Sequence, residues 1–334
     1  MRNFKKILLR ILLILVFLCI FNMGIRYTYE SVRNTMVYTR SDLRETKGEI
    51  ETLVLGTSLV HWGINSNVLG ETIDSQAFNL ATSAQPLNGS YYLLKDQARV
   101  NPVKRVFLGI HIPSLINDTN TEGIEIREGI YDRMLSPLVK AEYLLKTAAP
   151  NEYERYLFYA ARVENVINER VAKRNLNYKK TEDFKNNIGP EDQMEYVYLG
   201  NGNENTEAEY DGTFDDDELG EDATWERSKV LPINEEYMEK IADFCKKEGI
   251  ELNIVVTPMT WEFTKLMGDL EDFHEYLEDF CQENGARLFD FHEYENVFEI
   301  FTNEDYQDKK HFNARGAEKF ARLLGEWYLE EVEE

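Results

Sequence analysis

Five short apolar runs, separated by stretches of helical periodicity, restrict this chain to few folds. Residues 51–55, 76–80, 103–110, 252–257 and 286–291 each read as a buried strand; the first ends at Gly56, the third follows Pro102 and the fifth follows Gly285. Between them, residues 86–100 read as a helix opening at a proline-compatible first turn. Residues 234–247 place Met238, Ile241 and Cys245 on one face before Gly249, and 260–284 read as a helix stopped by Gly285. The last helix starts after Asn313, a good N-cap, and spaces Phe320, Leu323, Leu324 and Trp327 at i, i+3, i+4 and i+7. Strands alternating with helices in this way predict an α/β domain: a three-layer, doubly wound, flavodoxin-like sheet of about five parallel strands.

The rhythm is lost over residues 113–231, which read as one large, mostly helical insertion. Residues 138–185 carry helical patterning, with Leu144, Leu145, Val163, Val166 and Ile167 as its apolar positions, whereas 199–227 is acidic, rich in Gly and Asn and poor in aliphatics. The run Asp215-Asp216-Asp217-Glu218 reads as a solvated loop. Residues 211–222 lack the alternating Asp-x-Asp-x-Asp-Gly pattern that a calcium loop needs.

The N-terminus bears on compartment. Arg2, Lys5, Lys6 and Arg10 flank the unbroken apolar stretch 11–21, which with residues 7–9 and 23–25 approaches the ~20 residues that cross a bilayer. Residues 1–27 therefore read as a single-pass membrane anchor, N-terminus cytoplasmic, sending the remainder to the outside. A cleaved signal peptide is the rival reading, although no small-x-small cleavage site follows the run, and Leu18 before Cys19 argues against a lipoprotein site. Residues 28–48 read as a juxtamembrane helix or spacer, and 49–334 as the α/β domain, interrupted by the insertion 113–231. The formal net charge of −24 excludes nucleic acid as an expected partner, because phosphate binding relies on clustered Lys and Arg. Cys245 and Cys281 read as small buried apolar residues, with a disulfide between them as the alternative outside the cytoplasm.

In a doubly wound sheet, ligands bind beyond the carboxyl ends of the strands. Ser58, in Gly56-Thr57-Ser58-Leu59, lies just past the first strand, and Asp308-Lys309-Lys310-His311 lies after the fifth. A serine there commonly caps the next helix, and Asp-x-x-His alone can be an exposed loop. Together they supply a nucleophile, a general base and a carboxylate that orients the base. Oxyanion donors are then needed: the Ser58 N–H, the Ala81 N–H and the Asn79 side chain, with a turn-forming role as the alternative for Asn79. His61, one helical turn past Ser58, reads first as a pocket-lining residue and second as an alternative base, since no carboxylate is near it in sequence. His274 and His292 both precede Glu, but neither continues to the second His of a zinc helix, so no catalytic metal and no cofactor are expected.

On these residues the chain resembles the SGNH (GDSL-like) hydrolase superfamily: Gly56-Thr57-Ser58-Leu59, Asn79-x-Ala81, and Asp308-x-x-His311 followed by Gly316 are similar to its first, second and fifth blocks, over about 49–110 and 232–330. With the membrane anchor and the helix Asn313-x-x-Gly316-Ala317-x-x-Phe320, it is most similar to envelope proteins such as the D-alanyl transfer protein of the lipoteichoic acid pathway and the alginate O-acetylation proteins. The resemblance implies Ser58 as nucleophile, His311 as base and Asp308 as its partner. Thr57 stands where many members carry Asp, and Ala81 where they carry Gly. Gly109-Ile110-His111 stands where the family has Gly-x-Asn, so His111 either replaces that oxyanion Asn as a neutral donor or packs.

The expectation is an extracytoplasmic serine esterase or O-acyltransferase working through an acyl-serine. Its substrate would be an envelope polysaccharide, teichoic acid or glycolipid, with a membrane-bound O-acyltransferase as a further partner. The alternative is a catalytically inactive SGNH-like protein that binds an envelope component or such an acyltransferase.

Overall fold

A computed structural model of the chain describes residues 2–118, 123–163, 167–190, 196–213 and 224–333. The acidic run 215–218, most of the 211–222 tract and Val166 lie outside them. Each of the five apolar runs overlaps a strand. β1 (Thr52–Leu55), β2 (Ala77–Asn79) and β3 (Arg105–Gly109) precede the insertion, which contributes β4 (Val197–Gly200) and β5 (Asn203–Asn205); β6 (Glu251–Val256) and β7 (Arg287–Asp290) follow it. The main sheet has the order β2-β1-β3-β6-β7 and every pair is parallel. Its order reverses between β1 and β3, the place where such sheets bind ligands.

The period-two alternation of the strands fills both faces. Leu53, Leu55, Val106, Leu108, Ile254 and Val256 join one apolar cluster, whereas Val54, Phe107, Val255 and Phe289 join another. The first is covered by the helices Leu87–Val100, Pro232–Glu248 and Leu270–Asn284, through Leu93, Ile241 and Leu277, and by insertion helices. The second is covered by the helices Ser66–Thr72 and Ala314–Glu333, through Leu69, Phe320 and Leu324. Two covered faces make three layers. Asn313 caps the last helix as expected, its Oδ1 accepting from Gly316 N at 3.0 Å. Cys245 and Cys281 are buried and free.

Two expectations need correction. Of the two readings of residues 28–48, the helix holds and the spacer does not: α1 (Arg2–Tyr29) runs without a break to the domain, and α2 (Met36–Glu45) is packed into it with Tyr38 and Leu43 fully buried. The expected single helix 260–284 is two, Trp261–Thr264 and Leu270–Asn284, because the chain turns at Gly268 with φ +87° and bridges to Trp225. The insertion is helical over much of its length, and at 197–205 it also carries the antiparallel hairpin β4-β5, an element the sequence pattern did not indicate. Over Phe4–Tyr29, α1 is long and apolar enough to span a bilayer, and its apolar side chains from Phe4 to Phe21 are exposed.

Candidate active site

β1 ends at Leu55, and the chain must then turn sharply over the sheet. Gly56 makes the turn at φ +137°, where a Cβ would come within 2.7 Å of Val60 Cγ2 and 2.8 Å of Gly109 O. Only glycine fits there. Thr57, extended, leads into α3 (Ser58–His61), whose first residue is Ser58.

The partner loop is built by local hydrogen bonds. Tyr306 and Phe312 bridge antiparallel, and Gln307 N donates to His311 O at 2.9 Å. Asp308 Oδ1 accepts from both Lys310 N and His311 N at 2.9 Å, an Asx turn that fixes the loop. His311 is thereby set with Nδ1 2.7 Å from Asp308 Oδ2 and Nε2 2.9 Å from Ser58 Oγ. Burial works to raise the Asp308 pKa, but the hydrogen bond and charge of His311 and the two backbone amides outweigh it and hold the carboxyl below its usual range. The Ser58 N–H, in the first turn of a helix, has no acceptor among the described residues.

A cavity of about 260 Å³ opens beside Ser58, lined by Thr57, Gln85, His111, Ser114 and Lys310 among others. His111 Nδ1 lies 2.7 Å from Ser114 Oγ, with a longer contact of 3.3 Å to Thr57 Oγ1. Burial, then the charges of Lys310 and His311, push the His111 pKa down to about 3, so the ring is neutral. The 2.7 Å contact can run from the Ser114 hydroxyl to Nδ1 or from Nδ1–H to Ser114 Oγ, and the first arrangement puts the ring proton on Nε2. Lys310 is the sole Lys or Arg among the described residues lining this cavity.

Two expected oxyanion donors are otherwise engaged. Asn79 Nδ2 donates to the carbonyls of Val60 (3.0 Å), His61 (3.3 Å) and Ile64 (3.0 Å), and its Oδ1 accepts from Ala81 N at 3.0 Å. Arg133 Nη1 donates to Ala81 O at 3.1 Å, so the Ala81 peptide is satisfied on both sides. Asn79 thus ties down the carboxyl end of the Ser58 helix instead of facing a substrate, and Ala81 has no spare N–H.

His61 also differs from expectation, because it has a carboxylate. Its Nε2 lies 2.7 Å from Glu204 Oε1, supplied by β5 from 143 positions away. Burial favours protonating Glu204, but His61 beside it, a hydrogen bond from Thr35 and the charge of Arg133 overcome this and hold its pKa at about 2. The pair is largely buried, with the His61 side chain 4% and the Glu204 side chain 12% exposed, an arrangement that suits a structural brace. The hairpin is keyed to the sheet edge at Gly202 (φ +78°), where a Cβ would fall 1.9 Å from Asn79 O, and Asn201 O accepts from Asn79 N at 2.9 Å. Just before the hairpin, Tyr196 stacks on Trp62 at 4.9 Å, and Trp62 meets the His311 ring edge-on at 4.9 Å. Sequence reading missed Glu204, Trp62, Tyr196 and Ser114; only Ser114, three positions after His111 on a helical first turn, carried a local signal. His274 pairs with Asp290, and the ring nitrogens of His292 are buried elsewhere.

One family model, whose description names no function, matches residues 220–333, a stretch that holds Asp308 and His311 but not Ser58. No curated protein matches the chain.

Proposed function

We propose that this chain is a membrane-anchored serine esterase or O-acyltransferase of the SGNH type, with its domain outside the cytoplasm, acting on an envelope polymer or lipid-linked glycan. The observation that carries the reading is the relay Ser58 Oγ–His311 Nε2–His311 Nδ1–Asp308 Oδ2, with links of 2.9 and 2.7 Å, at the carboxyl edge of a parallel sheet.

In the proposed reaction, His311 Nε2 takes the Ser58 proton as Oγ attacks an ester carbonyl, and Asp308 stabilises the imidazolium through Nδ1. The oxyanion is met by the Ser58 N–H and by His111 Nε2–H, the neutral imidazole standing in for the amide that the resembling family uses. His311 then returns its proton to the leaving alcohol, leaving an acyl ester on Ser58. Water or a sugar hydroxyl, deprotonated by the same histidine, releases the acyl group. The cavity of about 260 Å³ suits a short acyl group, since sites for drug-sized ligands run to roughly 300–1,000 Å³.

Hydrolysis of p-nitrophenyl acetate by the purified full-length chain tests the reading: turnover lost in both Ser58→Ala and His311→Ala is expected, and turnover unchanged in Ser58→Ala would overturn it. The rival reading, a non-catalytic envelope-binding protein, draws on the engaged Ala81 N–H, which leaves one backbone donor and one imidazole for the oxyanion. Wild-type protein that is folded, binds an envelope glycan and turns over no ester would favour that rival.

A further inference from the structure

α1 does not hang loosely from the domain. Asn22 Nδ2 donates to Leu157 O at 3.0 Å and Asn22 Oδ1 accepts from Tyr159 N at 2.6 Å, which fastens residues 157–159 to the helix. One turn later Arg26 pairs with Asp132 and lies 5.3 Å over the Tyr159 ring, where Arg162 also sits at 5.7 Å. The carbonyls at the end of α1 are capped from the insertion: Lys179 Nζ donates to Tyr27 O (2.6 Å) and Glu30 O (3.1 Å), and Asn175 Nδ2 to Thr28 O and Glu30 O (both 3.2 Å).

The segment that Asn22 holds is apolar and open to solvent. Leu157 is 51% exposed and Phe158 43%, at the junction of the helices Tyr153–Leu157 and Ala160–Val163. A hydrocarbon core of ~30 Å takes about 20 helical residues at ~1.5 Å each. Counted from Ile7, just past Lys5 and Lys6, that core ends at about Arg26, so Asn22 and the backbone it holds lie about one helical turn inside the outer boundary. At that boundary come the amphipathic rings of Tyr27, Tyr29 and Tyr159 and the guanidinium groups of Arg26 and Arg162, the chemistry of an aromatic belt facing lipid headgroups.

We propose that residues 157–159 form a second membrane contact, with Leu157 and Phe158 inserted into the interface of the lipid bilayer that α1 spans. The domain is then held at two points, and the Ser58 cavity is kept at a fixed height above the membrane. The inference rests on α1 being a span and is independent of the catalytic reading.

The test uses the full-length chain in phosphatidylcholine vesicles. In a Cys19→Ser background, where the other two cysteines are buried, nitroxide labels are placed at L157C, F158C and W261C, the last an exposed apolar position remote from α1 in sequence. Labels at 157 and 158 should collide more with oxygen than with a soluble nickel chelate, and the label at 261 should show the reverse. An aqueous pattern at 157 and 158 overturns the second contact. A label on native Cys19 reads the span itself, so an aqueous pattern there overturns its premise. Should either cysteine variant lose the wild-type thermal transition, quenching of F158W by brominated lipid replaces it: added quenching over wild type supports the contact, and none overturns it.

Discussion

Asp308→Asn isolates what the carboxylate does for His311. The asparagine can keep its Oδ1 on the Lys310 and His311 amides, so the loop should survive. Its amide nitrogen then faces His311 Nδ1, where Asp308 Oδ2 accepted at 2.7 Å. A donor there forces Nδ1 to accept and puts the imidazole proton on Nε2, which can no longer take the proton of Ser58, 2.9 Å away. Inverting the tautomer of a buried triad costs about 10⁴-fold in kcat. Here the Asp308 side chain is 48% exposed, so water supplies part of the imidazolium stabilisation and the loss should be nearer to 10³-fold, roughly 4 kcal/mol of transition-state stabilisation. The assay is kcat/KM for p-nitrophenyl acetate, with denaturant unfolding as the control for an intact fold. A folded Asp308→Asn protein keeping more than a tenth of wild-type kcat/KM, beside an inactive Ser58→Ala, would refute the tautomer argument.

Other outcomes follow from neighbouring contacts. His111→Phe removes the Nε2–H and should lower kcat by about 10²-fold with little change in KM, whereas His111→Asn should retain most of the rate; equal losses in both would show that His111 packs and does not donate. Glu204→Gln should reduce stability at pH 7 by about 3 kcal/mol in urea unfolding, as breaking a buried pair does. Because the Glu204 pKa is held at about 2 in the folded chain against an ordinary 4.5, its contribution is full above about pH 4.5 and is lost as pH falls toward 2. The variant should therefore lose less stability than wild type across that window, and equal stability of the two at pH 7 would count against the brace.

The sheet was legible because its signals are local. Short, β-branched-rich apolar runs such as Leu53-Val54-Leu55 and Ile254-Val255-Val256 read as strands buried on both faces, and Gly56 after the first strand and Gly285 before the last mark their bounds. Gly268 broke an otherwise helical pattern because its position, unlike Gly249 or Gly285, lies inside a periodic stretch, and the bridge from Trp225 that favours the break is distant in sequence. The hairpin was illegible for a different reason. It has few aliphatics and is held by polar side chains from afar, Asn203 to Asn65 at 2.6 Å, Asn205 to the Trp62 carbonyl at 2.9 Å and Asn201 to Asn67 at 2.7 Å. The same distance hid Glu204 from His61. Asn79 was ambiguous because one amide can face a ligand or a helix end, and only the fold shows three carbonyls within its reach.

The central claim is that Ser58 is a nucleophile activated by His311. Intact-protein mass after treatment with a fluorophosphonate, followed by peptide mapping, reads this directly. One adduct is predicted, on the peptide carrying Ser58, absent in Ser58→Ala and slowed strongly in His311→Ala. Folded wild-type protein with no adduct, or with an adduct that persists in Ser58→Ala, would contradict it.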